Sequence, residues 1–302
     1  MGWFPFLVLS FLLSHFPSQT SSFMPFCNYD DASVLLSFKS SFTLDSSSLS
    51  NPWCESCHPK TESWENGTNC CLWEGVSCDT KSGHVIGIDL SCSCLQGEFH
   101  PNTTLFKLIH LQKLNLAFNY FSNSPMPNGF GDHVALTHLN LSASAFSGVI
   151  PSKISHLSKL VSLDLSFLGM RIEAATLENV IVNATDIREL TLDGLDMSSI
   201  KPSSLSLLVN FSSSLVSLSL QQTGLQGKLA NNILCLPNLQ KLDLSFNRYL
   251  QGELPEFNRS TPLRYLDLCY TGFTLESLNY LDFYSSDFEG TIPLFLYKKY
   301  LI

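Results

Sequence analysis

Through most of this chain, apolar and polar positions alternate in short bursts that recur at a nearly constant distance. Between 239 and 244, leucine stands at 239, 242 and 244, with polar Gln240, Lys241 and Asp243 between. Leu242 and Leu244 flanking Asp243 have a period of two, which predicts a short strand that buries its leucines on one face. Asn247 then follows, with an amide able to satisfy turning backbone, and Gly252 and Pro255 punctuate a return path. Cores of this kind begin at Ile88, Leu114, Leu139, Leu163, Leu190, Leu218, Leu242, Leu266 and Leu281, at spacings of 26, 25, 24, 27, 28, 24, 24 and 15.

The 24-residue mode lies within the leucine-rich-repeat range, so the chain is expected to wind as an α/β solenoid with a parallel concave sheet. A single unit cannot bury its apolar edge, which needs a copy on each side. The longer spacings between 163 and 218 predict insertions. The final 15 predicts a deletion of about nine residues and an irregular last turn.

What precedes the repeats differs in kind. Residues 1–22 read as an export signal, with an apolar run from Phe4 to Phe16 and small residues near Ser22. Asp30 to Lys39 predicts an amphipathic helix, with aspartates at its N-terminus and Val34, Leu35 and Phe38 on one face. Residues 43–63 read as a loop, and 64–78 are dense in cysteine and tryptophan, as suits a cap held by staples. The divisions are thus a signal at 1–22, a cap at 23–84, about nine repeats at 85–293 and a tail at 294–302.

Hydrophobic residues make up 44% of the 302 residues and charged ones 14%, with a formal charge of −9, which argues against a nucleic-acid partner. After the signal no segment is apolar and long enough to span a bilayer, so the chain reads as exported and released. Six Asn-x-Ser/Thr triplets, at Asn66, Asn102, Asn140, Asn183, Asn210 and Asn258, fit that route and are candidate glycan acceptors.

The second half of the unit repeats too, as Leu95-Gln96-Gly97-Glu98-Phe99, Phe146-Ser147-Gly148-Val149-Ile150-Pro151, Leu225-Gln226-Gly227-Lys228-Leu229 and Phe288-Glu289-Gly290-Thr291-Ile292-Pro293. This L-x-G-x-I-P scheme resembles the plant-specific leucine-rich repeat. Cys71 to Cys78, C-x-W-x-G-V-x-C, resembles the plant N-terminal repeat cap. Together they resemble the ectodomain of plant receptor-like proteins, the kinase-less receptors related to the tomato Cf resistance proteins, over about residues 27–293. The resemblance implies a right-handed superhelix, a disulfide from Cys27 to Cys70, a peptide or protein ligand sensed in defence or development, and partner receptor kinases as co-receptors. It places the chain in the apoplast as written, or at the plasma membrane if a full-length form carries the family's membrane helix.

Family members carry more repeats, an acidic juxtamembrane segment, a membrane helix and a short tail. This chain stops at Ile302, so a fragment or truncated paralogue is expected. The alternative readings are a secreted polygalacturonase-inhibitor-like protein and a non-functional remnant.

Ten cysteines in an exported chain imply disulfides. Cys71 and Cys78 are expected to pair, while Cys54, Cys57, Cys92 and Cys94 allow several connectivities, and Cys235 and Cys269 are expected as buried small hydrophobes. A metal site from Cys54, Cys57 and His58 near Cys70 and Cys71, or a haem attachment at Cys54-Glu55-Ser56-Cys57-His58, is the competing reading. Oxidising compartments favour disulfides over either. The eight histidines share no constellation and no catalytic motif is present, so neither enzyme activity nor a cofactor is expected.

Binding suits the surface better. Strands stacked about 4.8 Å apart turn equivalent positions into columns. One is Asp89, Asn115, Asn140, Asp164, Thr191, Ser219, Asp243, Asp267 and Asp282. Beside it run Lys113, His138, Ser162, Glu189, Ser217, Lys241, Tyr265 and Tyr280, and then Phe118, Phe167, Phe246 and Tyr270. Candidate ligand contacts are Phe118, His138, Phe167, Glu189, Phe246, Tyr265, Tyr270 and Tyr280, with the tyrosines as amphipathic anchors. Solvation or local packing over the strand-to-turn edge is the alternative role. A glycan on Asn140 would crowd the concave face. Asn119, Asn247, Thr223 and Thr271 are expected to point inward and serve backbone.

Overall fold

A computed structural model describes residues 26–44, 54, 57–201, 204, 206–207, 214–229, 233, 236–252 and 262–273. The export signal, Asn210, Cys235, Asn258, Tyr280, the shortened spacing to Leu281, the motif at 288–293 and the tail lie outside these residues.

Each short alternating run forms a strand. In chain order they are β1 (Thr43–Leu44), β2 (Val76–Cys78), β3 (Val85–Asp89), β4 (Leu95–Gln96), β5 (Lys113–Asn115), β6 (His138–Asn140), β7 (Ser162–Asp164), β8 (Glu189–Thr191), β9 (Ser217–Ser219), β10 (Gly227–Lys228), β11 (Lys241–Asp243), β12 (Leu250–Gln251) and β13 (Tyr265–Asp267). Nine of them build one sheet in the order β13-β11-β9-β8-β7-β6-β5-β3-β2, parallel throughout except where β2 meets β3 antiparallel. The register is unbroken from β3 onward: Ile88, Leu114, Leu139, Leu163, Leu190, Leu218, Leu242 and Leu266 are successive partners. All eight are buried, as are the leucines two residues on from Leu90 to Leu268. Each such side chain contributes about 1.5–3 kcal/mol by leaving water, but only with a neighbouring coil to cover it.

On the helical side, one-turn 3-10 helices at Thr104–Lys107, Asn128–Asp132 and Ser152–His156 give way to a full α-helix at Ala174–Asn183. The 27-residue spacing that predicted an insertion takes this form. It has the apolar stripe a helix needs, with Leu177, Val180 and Ile181 buried.

The remaining α-helix, Tyr29–Lys39, opens the cap, with the Asn28 side chain accepting from the amides of Asp30 and Asp31. Asp31 does more than favour the helix N-terminus. It is buried, accepts the Val85 amide at 2.8 Å and lies 3.2 Å from His84 Nδ1, joining the helix to β3. Phe38 meets Phe99 at 6.0 Å and Phe99 meets Phe130 at 5.4 Å, so the cap and first coils share one aromatic core. The stretch 43–63 is not wholly a loop, since β1 pairs antiparallel with β4 and Lys60–Ser63 form a 3-10 turn.

Between strands, buried side chains replace missing backbone partners. Asn119 donates to the carbonyls of Leu90, Leu116 and Ala117 and accepts the Leu95 amide. Asn247 donates to Leu220, Leu244 and Ser245 and accepts from the amides of Thr223 and Leu225. Thr223 donates to the Leu220 carbonyl, and half-buried Thr271 to that of Leu268. Replacing Asn247 with alanine strands several of these groups, and each buried orphan costs about 1–3 kcal/mol. The Asn247→Ala chain is expected to lose about 3 kcal/mol or more in urea unfolding, whereas Lys159→Ala, at an exposed position, stays near wild type.

Candidate ligand-binding face

The sheet carries its polar side chains outward in two columns fixed by register. Lys113, His138, Ser162, Glu189, Ser217, Lys241 and Tyr265 are successive partners, and so are Asp89 to Asp267. The second column also shapes the chain. Asp89, Asn115, Asn140, Asp164, Asp243 and Asp267 each accept the amide two residues on with Oδ1, ending the strand in an Asx turn.

At the equivalent position, one residue beyond that amide where there is one, each described coil turns left-handed: Cys92, Phe118, Ala143, Phe167, Gly194, Gln222, Phe246 and Tyr270 have φ between 49° and 70°. L-residues visit this region sparingly. Here it lets the chain leave the sheet while the same amide still reaches the next coil. Phe118 donates to Ser142, Phe167 to Asp193 and Phe246 to Cys269. The consequence is a rim of side chains. Phe118 is half-buried, while Phe167, Phe246 and Tyr270 are exposed, and Phe246 stacks on Tyr270 at 4.9 Å.

Thr191 and Ser219 lack the capping carboxylate. Asp193, two residues after Thr191, takes over for its neighbour by accepting Ser219 Oγ at 2.7 Å and the Gln221 amide at 2.8 Å. Burial pushes its carboxyl up, and Asp243 and Asp164 push the same way. Asp164 is likewise raised by burial. Tyr265 donates to Asp267 Oδ2 at 3.4 Å, and its phenol is pushed up to about 12, chiefly by burial and then by Asp243 and Asp267. Lys241 Nζ lies 5.3 Å over the Tyr265 ring. Further along, burial and Lys113 hold the His138 imidazole below its ordinary value against the pull of Glu189, which accepts a hydrogen bond from Ser162 at 3.0 Å.

The candidate contacts thus fall into separate groups. His138 and Glu189 stand on strands flanking β7, Tyr265 stands on β13, Phe246 and Tyr270 stack just past the ends of β11 and β13, and Phe118 and Phe167 stand on the rim beside other strands. Asn140 lies on this face, half-buried, with Oδ1 held by Ser142 N–H and Oγ. Asn66 and Asn102 are exposed in turns, and exposed Asn183 donates to the Ser155 carbonyl.

Sequence reasoning missed two groupings. His84 and His110, 26 residues apart and therefore equivalent on adjacent coils, bring their rings to 4.2 Å beside Asp31. Lys60 reaches out of the cap to Asp89 and Ser91, closing the near end of the acidic column. The repeat spacing could have signalled the first. Nothing local signals the second.

Cys71 is bonded to Cys78 and Cys27 to Cys70, and the connectivity left open is Cys54–Cys92 and Cys57–Cys94. The thiolates of the competing metal and haem readings are therefore consumed, and His58 contacts Glu74 instead. Cys269 is half-buried, not buried, because it occupies the turn position two residues past Asp267.

Comparison with known proteins agrees with this architecture. Residues 28–79 match the leucine rich repeat N-terminal domain. The chain is 39% identical over 303 residues to Receptor-like protein 6 of Arabidopsis thaliana, covering 95% of this chain and 28% of that one. It is 40% identical over 255 residues to Receptor-like protein Cf-9 of Solanum pimpinellifolium, covering 81% and 29%. The chain therefore spans less than a third of the length of these relatives. Among solved structures, the Arabidopsis receptor kinase HAESA ectodomain, in complex with an extended IDA peptide hormone, superposes with a TM-score of 0.52 at 23% identity, over 87% of this chain and 50% of that one. That likeness establishes the fold. No described helix is long and apolar enough to cross a membrane.

The raised carboxyl of Asp193 makes a signed expectation. A folded-state pKa above the model value of 3.8 means the native chain holds the proton more tightly, so stability falls as pH rises through that window. Asp193→Asn keeps the acceptor and removes the charge. It is expected to match or exceed wild-type stability at pH 7, with the difference vanishing below about pH 3.8 in denaturant titrations.

Proposed function

Because the chain belongs to the plant leucine-rich-repeat receptor-like proteins, we propose that its sheet face is an extracellular recognition surface. It takes a peptide or protein ligand in defence or developmental signalling, which partner receptor kinases carry into the cell. The observation that carries this reading is the unbroken register, which presents charged, hydroxyl and aromatic side chains side by side over eight coils. Such a surface can read an elongated partner at several points at once. The HAESA ectodomain, of the same fold, is described with a peptide hormone. The disulfide-stapled cap and exposed triplets at Asn66, Asn102 and Asn183 suit an exported, glycosylated module. We read the chain as a binding module and not as an enzyme.

The test uses the whole chain secreted from plant cells and titrated with a library of random synthetic dodecapeptides. Saturable binding is expected, weakened at least tenfold by Glu189→Arg on the sheet face and unchanged by Val182→Arg on the exposed side of the α-helix. Equal loss from both variants, or no saturable binding, rejects the reading.

A further inference from the structure

We propose that the part of the face built by β11 and β13 selects a basic peptide segment, with an arginine or lysine side chain lying on the stacked rings of Phe246 and Tyr270. This rests on the reading of the face as a peptide-binding surface and names the chemistry it selects.

The first observation is the rings themselves. They stand 4.9 Å apart at 21°, yet are 50% and 70% exposed, in a chain that buries Phe38, Phe99, Phe121, Phe130 and Phe146. A stacked aromatic pair left in water is an unpartnered apolar patch. Its backbone is left-handed at both residues, with φ of 60° and 55°, and the Phe246 amide is tied to the Cys269 carbonyl. The rings are therefore held at the rim, at little further entropic cost to a ligand.

The second is charge. Three residues before each ring stand Asp243 and Asp267, and Asp193 flanks Ser219 of the neighbouring strand. Burial is the main cause of the raised Asp193 carboxyl and Tyr265 phenol, and Asp243 adds to both, so its carboxylate is felt across these strands and would be felt by a cation placed on the neighbouring rings. A cation over an aromatic face gains from the ring quadrupole as well.

The third is a precedent within the chain. Lys241 already lies over Tyr265 at 5.3 Å, and Arg248 lies over Tyr249 at 6.0 Å. These coils thus hold two of their own cations on rings. Arg264, exposed next to β13, is a further cation among the described residues of these coils. Among the described residues, no cation lies over the stacked rings of Phe246 and Tyr270.

The experiment uses the secreted, glycosylated chain and three pools of fluorescein-labelled dodecapeptides that differ only in carrying three Arg/Lys, three Asp/Glu or no charged residues, titrated at physiological salt. The basic pool is expected to bind at least tenfold more tightly than the uncharged pool. Phe246→Ala and Tyr270→Ala should each weaken it about fivefold, and the double variant should bring it to the level of the uncharged pool. Tyr270→Phe should retain it. Alanine is native to this left-handed column at Ala143, with φ 49°, so the variants keep the fold, which an unchanged denaturation midpoint verifies.

Basic-pool binding that survives in the double variant would be general attraction to a chain of charge −9 and overturns the proposal. Equal or tighter binding of the acidic or uncharged pool, still sensitive to Glu189→Arg, overturns the preference for cations and leaves the peptide-binding face intact. If no pool binds, both fall.

Discussion

No coil of this protein has an interior of its own. Its leucines point into a space closed only by the coils before and after, and its strand amides find their carbonyls one coil further on. Leu116 donates to Asn140, Leu141 to Asp164, Leu165 to Thr191 and Leu192 to Ser219. Burial and hydrogen bonding are thus both properties of neighbouring pairs, and stability accumulates along the array. Side chains extend the same logic, since Asn119 and Asn247 each bond backbone in two coils and Asp193 caps the turn of a strand that lacks its own carboxylate.

Much of this was legible in the residues. The strand cores and their columns followed from period-two alternation at near-constant spacing, because a parallel sheet with equivalent strands leaves register no freedom. The inward roles of Asn119 and Asn247 followed from amides placed where a strand must turn. The left-handed column did not follow. Phe118, Phe167, Phe246 and Tyr270 show which side chains stand there, but their backbone conformation depends on an amide bonding to another coil. The pairing of Cys54 with Cys92 and Cys57 with Cys94 depends on how the loop lies over the first coil, which spacing does not encode. Asp31 was read for its effect on its own helix, whereas its principal partner is the Val85 amide, 54 positions away.

The cap finishes one end by two means. Trp64 and Trp73 stack at 5.6 Å, with indole nitrogens donating to the Glu74 carbonyl and to Thr68, which gives a small unit an ordered centre. Two disulfides close the cap on itself, and two more fix it to the first coil through Cys92 and Cys94. Covalent staples stand where apolar area is scarce, and leucine columns take over once several coils lie in contact.

The α-helix at Ala174–Asn183 has one more effect. Strand spacing on the sheet side is set by hydrogen bonds at about 4.8 Å, while a helix with its side chains is about 10–12 Å across. A coil backed by this helix is therefore wedge-shaped beside coils backed by a single 3-10 turn. The extra width stands behind β7 and β8, between the strand that bears His138 and the strand that bears Tyr265.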